Sequence, residues 1–385
     1  MPDTMNNKIR TLGKSIIFLL YYVKMELWLP ILFRIHHKNG NLKYLDETGY
    51  NIWKNAFLSL LKEHCRSCYG FKQRELLTAF PTAKITKIKS NPVCDKDNPI
   101  IVLSVKNDRK RIEMLIRHYR KLGTELFAII DNGSDDGTFE WLLEQKDVDL
   151  YRTDDSYTSL RKEAWINRIV SYYGLNRWYI LTDSDELVTY TGMEEHTLRD
   201  VVQYATHNSF KRLEALTLDM YSKDNLFSRK NVEDIQKEYC WMDKNSYTDK
   251  PKQVGCTTVR WLTGGPRMRK MGVSTSLLKF PLVYFEPGTI SANAHFVYPY
   301  QLMNNAPCNL AILHYKFLEN DLAEYQKRAS SSSGFAFKGG YYRKYMDFAI
   351  SSQSFYDENS IQFKDSNSLL EISFIQPIDF GAGTK

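Results

Sequence analysis

Three carboxylates follow a short apolar segment in the middle of the chain. Residues 178–181 read Trp-Tyr-Ile-Leu, and Asp183, Asp185 and Glu186 come directly after them. In a strand the side chains alternate, so Asp183 and Asp185 would point to the same side. Two like charges on one face repel each other. A hard divalent cation, Mn²⁺ or Mg²⁺, with substrate phosphates as further ligands is the simplest counter-charge. A solvated acidic turn is the alternative interpretation.

Alternating strands and helices must position this cluster. Residues 100–105 and 126–130 are nearly continuous apolar runs, typical of strands that are covered on both faces. The segment between them repeats apolar residues at helical spacing, and so does the segment 166–173. The pattern predicts an α/β fold with a mainly parallel sheet flanked by helices. Open sheets of this kind bind ligands at the carboxyl ends of their strands, where the acidic cluster lies.

Polar residues after the earlier strands could contact a nucleotide. Asp131 ends the second strand, with Asn132 beside it, and its carboxylate could accept a hydrogen bond from a nucleobase. Arg161 lies in the first turn of the later helix and could reach a diphosphate with two hydrogen bonds. A helix-capping turn and a solvated arginine are the alternatives.

A histidine on a late apolar segment is a further candidate. His314 lies within residues 311–317, which read as a strand. It could complete a metal shell if the fold returns this strand beside Asp185. A hydrogen-bonded structural histidine is the alternative.

The order of these motifs resembles the nucleotide-sugar-dependent glycosyltransferases of the GT-A fold. The resemblance is to the family 2-like group common in bacterial surface-polysaccharide synthesis, and it covers residues 98–320. The motifs are, in order, VKND at 105–108, IIDNGSDDGT at 129–138, Arg161 with Asn167, and WYILTDSDE at 178–186.

The resemblance implies roles for the residues at these positions. Asp131, with Asn132, would contact the base, and Arg161 the nucleotide. Asp183 and Asp185 would contact the ribose and the metal-bound diphosphate. His314 would be a metal ligand.

The acidic catalytic-base motif of the group is not evident in this sequence. An inverting transfer needs a base within hydrogen-bond reach of the acceptor hydroxyl. Asp219 is the first candidate because it ends a predicted strand, at 213–220. Glu194, Glu195 and Asp224 are the others. The polar stretch 222–252 is expected to be a substrate loop, and residues 264–270 a basic turn.

The chain divides into three predicted regions. Residues 98–320 form the catalytic domain, residues 1–97 a helical extension, and residues 321–385 a helical or irregular tail. Within the extension, residues 16–35 are apolar with basic flanks. Such a segment fits either the surface of an anionic membrane or a buried helical hairpin.

Composition limits the partners and the compartment. The net charge of +7 suits anionic substrates but is too weak to indicate nucleic acid. Of the six cysteines, Cys65 and Cys68 form a close pair, but no second ligand pair stands at matching spacing, so we expect free thiols in a reducing compartment. We expect a cytoplasmic glycosyltransferase, at the inner face of the membrane, that uses a nucleotide sugar and a glycan or lipid-linked acceptor. A sugar-nucleotide nucleotidyltransferase and a catalytically inactive, membrane-associated assembly protein are the alternatives.

Overall fold

The computed structural model describes residues 83–381, apart from residues 229–231, 255–256, 304–305, 320, 331–338 and 352, together with single positions between 13 and 23. Most of the predicted extension, residues 1–97, and of its apolar segment, residues 16–35, lies outside the described residues. Within the described residues, no helix is both long enough and apolar enough to span a bilayer.

Short strands and helices alternate along the described chain. The strands are β1 (Thr86–Lys89), β2 (Ile100–Val105), β3 (Phe127–Asp131), β4 (Val148–Arg152), β5 (Arg177–Leu181), β6 (Glu186–Thr189), β7 (Arg212–Asp219), β8 (Trp241–Asp243), β9 (Tyr247–Asp249), β10 (Lys252–Val254), β11 (Thr257–Val259), β12 (Leu262–Gly264), β13 (Leu278–Phe285), β14 (Ile290–Asn293), β15 (Phe296–Tyr298), β16 (Cys308–His314) and β17 (Ser360–Gln362). The helices are α1 (Arg109–Lys121), α2 (Thr138–Glu144), α3 (Ser159–Tyr173), α4 (Leu198–His207), α5 (Ile235–Glu238), α6 (Gly265–Met271), α7 (Asp321–Ser330) and α8 (Gly340–Ile350).

A central sheet organises the molecule. Within the described residues it has nine strands in the order β1-β4-β3-β2-β5-β13-β7-β16-β6. Strands β2, β3, β4, β5, β7 and β16 run in one direction, and β1, β13 and β6 run in the other. The prediction of an α/β fold with a mainly parallel sheet flanked by helices is confirmed.

Both faces of the sheet are covered, which explains the continuous apolar runs of its strands. Along β2, Ile101 and Leu103 pack into the core on one face, whereas Ile100 and Val102 pack into the core on the other. Helices α1 and α4 complete the first core, and α3 with the β14–β15 hairpin completes the second. Each fully buried aliphatic side chain contributes about 1.5–3 kcal/mol relative to exposure.

The structure adds elements that the sequence did not predict. Residues 86–89, which belong to the predicted helical extension, form β1 and pair with β4. Residues 264–270, expected to be a basic turn, contribute most of α6, which carries its proline in the first turn, where the missing N–H costs nothing. The predicted substrate loop, residues 222–252, contains α5 and the short strands β8 and β9.

The C-terminal segment packs on the same core as the sheet. Leu369 and Ile372 are fully buried in the core that α1 and α4 also line. Strand β17 pairs with β8, and the Gln376 amide donates to the Cys308 carbonyl over 2.8 Å.

Candidate active site

A tight acidic turn links two strands that are not neighbours in the sheet. Residues 182–185 connect β5 to β6, although three strands lie between them. Glu186 follows Leu181 by five residues, which can span at most about 18 Å. In a flat sheet, β5 and β6 would be four strand spacings apart, which is about 19 Å. The Glu186 amide also donates to the Asp183 carbonyl over 3.1 Å, so this segment is a turn and not extended. The sheet must therefore curl at its carboxyl edge, which brings the turn close to β16.

The curl places Asp185 beside His314, the last residue of β16. The Asp185 Oδ2 atom lies 3.2 Å from His314 Nε2, and the Tyr315 amide donates to the Asp185 carbonyl over 2.8 Å. On the other side of the ring, His314 Nδ1 lies 2.7 Å from Asp219 Oδ1. Arg267 Nε donates to Asp219 Oδ2 over 2.7 Å. A continuous polar chain therefore runs from α6 to the acidic turn.

Burial and neighbouring charges shift the pKa values of these side chains in opposite directions. Burial alone would raise the pKa of Asp185, but the His314 imidazole, with Lys316 and Arg111, holds it well below its usual range. Burial alone would lower the pKa of His314, but the neighbouring Asp185 and Asp219 raise it. Arg267 and His314 outweigh burial at Asp219 and lower its pKa to about 2.

Asp183 faces a different set of partners. Its carboxylate accepts from Lys162 on α3 and lies 3.4 Å from the Lys279 ammonium on β13. Lys279 also pairs with Glu186. Burial would raise the pKa of Asp183, yet the two lysines lower it to about 2. Asp183 and Asp185 therefore have different partners: the chain turns after Leu181, and the strand alternation expected from the sequence does not extend through them.

The residues around His314 have the composition of a divalent-cation site. One ligand atom each of Asp185, Glu186 and His314 lies within 4.8 Å of the others. Asp219 holds the Nδ1 side of the imidazole, which leaves Nε2 directed at Asp185. A carboxylate that orients a metal-binding histidine in this way is a common second layer of metal sites. Two carboxylates and one imidazole fit Mn²⁺ well, whereas Mg²⁺ prefers oxygen ligands alone. Asp183 is not in this group.

The loop after β2 closes one side of the site. Asp108 accepts from the Ser184 hydroxyl and pairs with Arg111 over 3.1 Å. Arg111 also pairs with Asp321 and donates to the Tyr315 carbonyl over 2.8 Å. One buried arginine thus connects α1, the strand end that carries His314, and the start of α7.

Asp131 and Asn132, the residues predicted to contact a nucleobase, form hydrogen bonds within the loops at this edge of the sheet. The fully buried Asp131 carboxylate accepts from the amides of Gly133, over 3.0 Å, and Ser134. The Asn132 amide group donates to two carbonyls, those of residues 153 and 155. Asn107, at φ 51°, exchanges two hydrogen bonds with Asp135. These contacts fix the two loops to each other at the carboxyl edge of β2 and β3.

The two residues singled out on α3 differ in their surroundings. Arg161 is about one-third exposed and lies 3.9 Å from Asp155. Its amide is capped by the Thr158 side chain. Asn167 is buried and exchanges two hydrogen bonds with Ser291, so it ties α3 to the β14–β15 hairpin.

The four acidic residues predicted as base candidates fall in different places. Strand β6 runs away from the site, so Glu194 and Glu195 lie near the opposite edge of the sheet, where Glu194 accepts from Ser366. Asp219 is at the site, but both of its oxygens are engaged by His314 and Arg267. Asp224 is exposed in the loop after β7, whose carboxyl end carries Asp219.

Several site residues were not predicted from the sequence. Lys162 and Lys279 stand within segments that read as ordinary helix and strand, and Arg267 within a presumed turn. Each meets its carboxylate only through the tertiary fold. A lysine on the buried face of a helix, such as Lys162, is the one signal that could have indicated an internal ion pair.

No protein family matches this sequence, and no curated protein matches it. Among solved structures it is similar to the mannosyltransferase PcManGT from Pyrobaculum calidifontis, in complex with GDP-Man and Mn²⁺, at 14% identity and a TM-score of 0.23. That match covers 46% of this chain and 47% of the other, so the chain spans about half the length of the mannosyltransferase. It is also similar to S. aureus TarS 1-349, at 10% identity over 66% of this chain and 72% of that one, with a TM-score of 0.27.

Proposed function

We propose that this protein is a metal-dependent glycosyltransferase that moves a sugar from a nucleotide-sugar donor to a hydroxyl of a glycan or lipid-linked acceptor, in surface-polysaccharide synthesis. One observation carries the proposal. Asp185, Glu186 and His314 converge at the carboxyl edge of a mainly parallel sheet, and Asp219 orients the imidazole. The ordered motifs around residues 105–186 support the nucleotide-sugar assignment.

The site residues divide the work of an inverting transfer. The acceptor oxygen bonds to the anomeric carbon while the bond from that carbon to the diphosphate oxygen breaks. The electron pair leaves with the diphosphate, and the hydroxyl proton passes to a base. A divalent cation held by Asp185, Glu186 and His314 would supply neutralisation of the charge that develops on the diphosphate.

The remaining residues have supporting roles in this proposal. Asp219 fixes His314 and is a positioning residue, because its two oxygens are occupied and its pKa is lowered to about 2. Among the four acidic residues named above, Asp224 is the one that is both exposed and beyond the carboxyl end of β7. We propose that it accepts the proton of the acceptor hydroxyl. Asp131, Asn132, Arg161 and Asp183 remain the proposed nucleotide side of the site.

Binding measurements on matched variants test the proposal. Thermal unfolding of the wild type, Asp185→Ala and Glu144→Ala would be recorded with nucleoside diphosphates and nucleotide sugars, with and without Mn²⁺. Glu144 is an exposed carboxylate at the end of α2 and serves as the control. We expect stabilisation that needs Mn²⁺ in the wild type and Glu144→Ala, and none in Asp185→Ala. Equal stabilisation of all three proteins, or of none, would refute the assignment.

A further inference from the structure

Lys316 and Arg111 act on Asp185, and Arg267 acts on the neighbouring Asp219, and these three cations differ in how they are compensated. Arg111 pairs with Asp108 and with Asp321. Arg267 pairs with Asp219. Lys316, in contrast, pairs with no carboxylate within the described part of the chain; Tyr345 and Tyr342 are its main electrostatic neighbours, followed by Asp185. Of these three cations, Lys316 is therefore the one that no carboxylate of the described residues neutralises by direct contact.

The backbone around Lys316 is firmly held. The residue follows His314 by two positions, and the intervening Tyr315 is buried in the core. The Lys316 carbonyl accepts from Arg111 Nη2 over 3.1 Å and from the Tyr325 hydroxyl over 2.7 Å. Its half-buried side chain places Nζ 5.9 Å from the centroid of the Tyr325 ring. The stem is thus anchored and partly shielded from water, while the charged end lies among tyrosine rings and contacts no carboxylate of the described residues.

The charge of the site requires such a group if a diphosphate binds there. Lys279 pairs with Glu186 and Lys162 with Asp183, so a divalent cation opposed by Asp185 keeps one uncompensated positive charge, fewer than the negative charges that a diphosphate brings. An ammonium is a compact point charge with three donors, which suits the several oxygens of a phosphate group. We propose that Lys316 binds the diphosphate of the donor and stabilises it as the leaving group.

This inference rests on the proposed function. Lys316 keeps its proton throughout: the bond between the anomeric carbon and the diphosphate oxygen breaks, and the ammonium only neutralises the charge that the diphosphate carries away. The assignment differs from the one the sequence favoured, in which Arg161 reaches the diphosphate. Arg161 lies at the start of α3 beside Asp155.

Titration calorimetry with nucleotides tests the role of Lys316. The probes are UDP, GDP, ADP and CDP with the corresponding monophosphates, all in the presence of Mn²⁺, and Mn²⁺ alone. The variants are Lys316→Ala, Lys316→Arg, Arg161→Ala and the exposed control Lys327→Ala on α7. Because a hydrogen bond to a charged group is lost, Lys316→Ala should bind the diphosphate roughly 10- to 100-fold more weakly. Binding of the monophosphate and of Mn²⁺ alone should change by less than about twofold. Lys316→Arg should recover part of the loss.

The possible outcomes distinguish the role of Lys316 from the proposed function on which it rests. Wild-type affinity for the diphosphate in Lys316→Ala, with Mn²⁺ and Asp185 still required, would overturn the role of Lys316 and leave the function standing. A selective loss in Arg161→Ala alone would do the same and assign the diphosphate to Arg161. No binding of any diphosphate by the wild type would overturn both. If Lys316→Ala fails to fold, Lys316→Gln keeps the stem and gives the same comparison.

Discussion

Removing Arg267 should destabilise the protein much more than removing an arginine at the surface. In Arg267→Met the Asp219 carboxylate, only 1% exposed, loses the donor that lies 2.7 Å away. Breaking a buried ion pair by removing one partner costs about 3–5 kcal/mol. Since whole domains are stable by about 5–15 kcal/mol, this is a large share of the total. The thermal midpoint should fall by about 5–10 °C.

A double variant identifies the cause of the loss. Arg267→Met combined with Asp219→Asn leaves no unpaired charge, so it should be more stable than Arg267→Met alone by on the order of 2 kcal/mol. The control is Arg120→Met. Arg120 pairs with Asp147 over 2.6 Å but is 42% exposed, and its removal should cost less than about 1 kcal/mol.

Urea unfolding at neutral pH, followed by tryptophan fluorescence, compares the wild type with Arg267→Met, Asp219→Asn, their double variant and Arg120→Met. The reasoning is refuted if Arg267→Met loses no more stability than Arg120→Met. It is also refuted if the losses of Arg267→Met and Asp219→Asn simply add. The same preparations give the Mn²⁺ affinity, which should fall in Arg267→Met because His314 loses its fixed orientation.

Further predictions concern three other parts of the fold. Burial raises the pKa of Glu214 to about 7, against the opposing effect of Arg260. The folded protein therefore favours the protonated carboxyl group. The stability that this group contributes is fully present below its pKa in the unfolded chain, and it is lost as the pH rises through 7. Relative to Glu214→Gln, the wild type should lose about 3 kcal/mol between pH 5 and pH 8, and parallel pH profiles would contradict this. Asn107→Ala removes the two bonds to Asp135 and leaves an alanine at φ 51°, so urea unfolding should show a loss of about 1–2 kcal/mol. Leu369→Ala should cost about 2–5 kcal/mol, because this fully buried side chain belongs to the main core, whereas a loosely attached tail would give almost no change.

The first half of the sheet could be predicted from the sequence because its signals are local. Strands β2, β3 and β5 are covered on both faces and read as short apolar runs, and α1 and α3 have apolar residues at helical spacing. Strand β1 has only four residues at the edge of the sheet, and its alternating Lys87 and Lys89 look like a polar connection. Helix α6 begins with Gly265 and Pro266, directly after Gly264, and this Gly-Gly-Pro sequence resembles a turn until its place at the helix start is known.

The site could be predicted only in part, for reasons of geometry. Asp185 and His314 were named separately, and the expected return of the late strand does bring them together. The prediction that Asp183 points to the same side as Asp185 was wrong, because residues 182–185 form a turn. The partnership of Asp219 with Arg267 depends on where α6 lies, which no local pattern specifies.

The order of strands in the sheet also sets an order of assembly. Within the described residues, β6 has β16 as its one neighbour, and β7 joins the first half of the sheet only through β13. Strands β1 to β5 can pair among themselves as soon as they have left the ribosome. Strands β6 and β7 must wait, with open edges, until residues 278–314 have been synthesised. Exposed edges of this kind invite wrong pairing, so a nascent chain that stalls in this interval should be especially prone to aggregate. The ligands of the proposed metal come together in the same late step, and the protein would acquire its cation only once the sheet is complete.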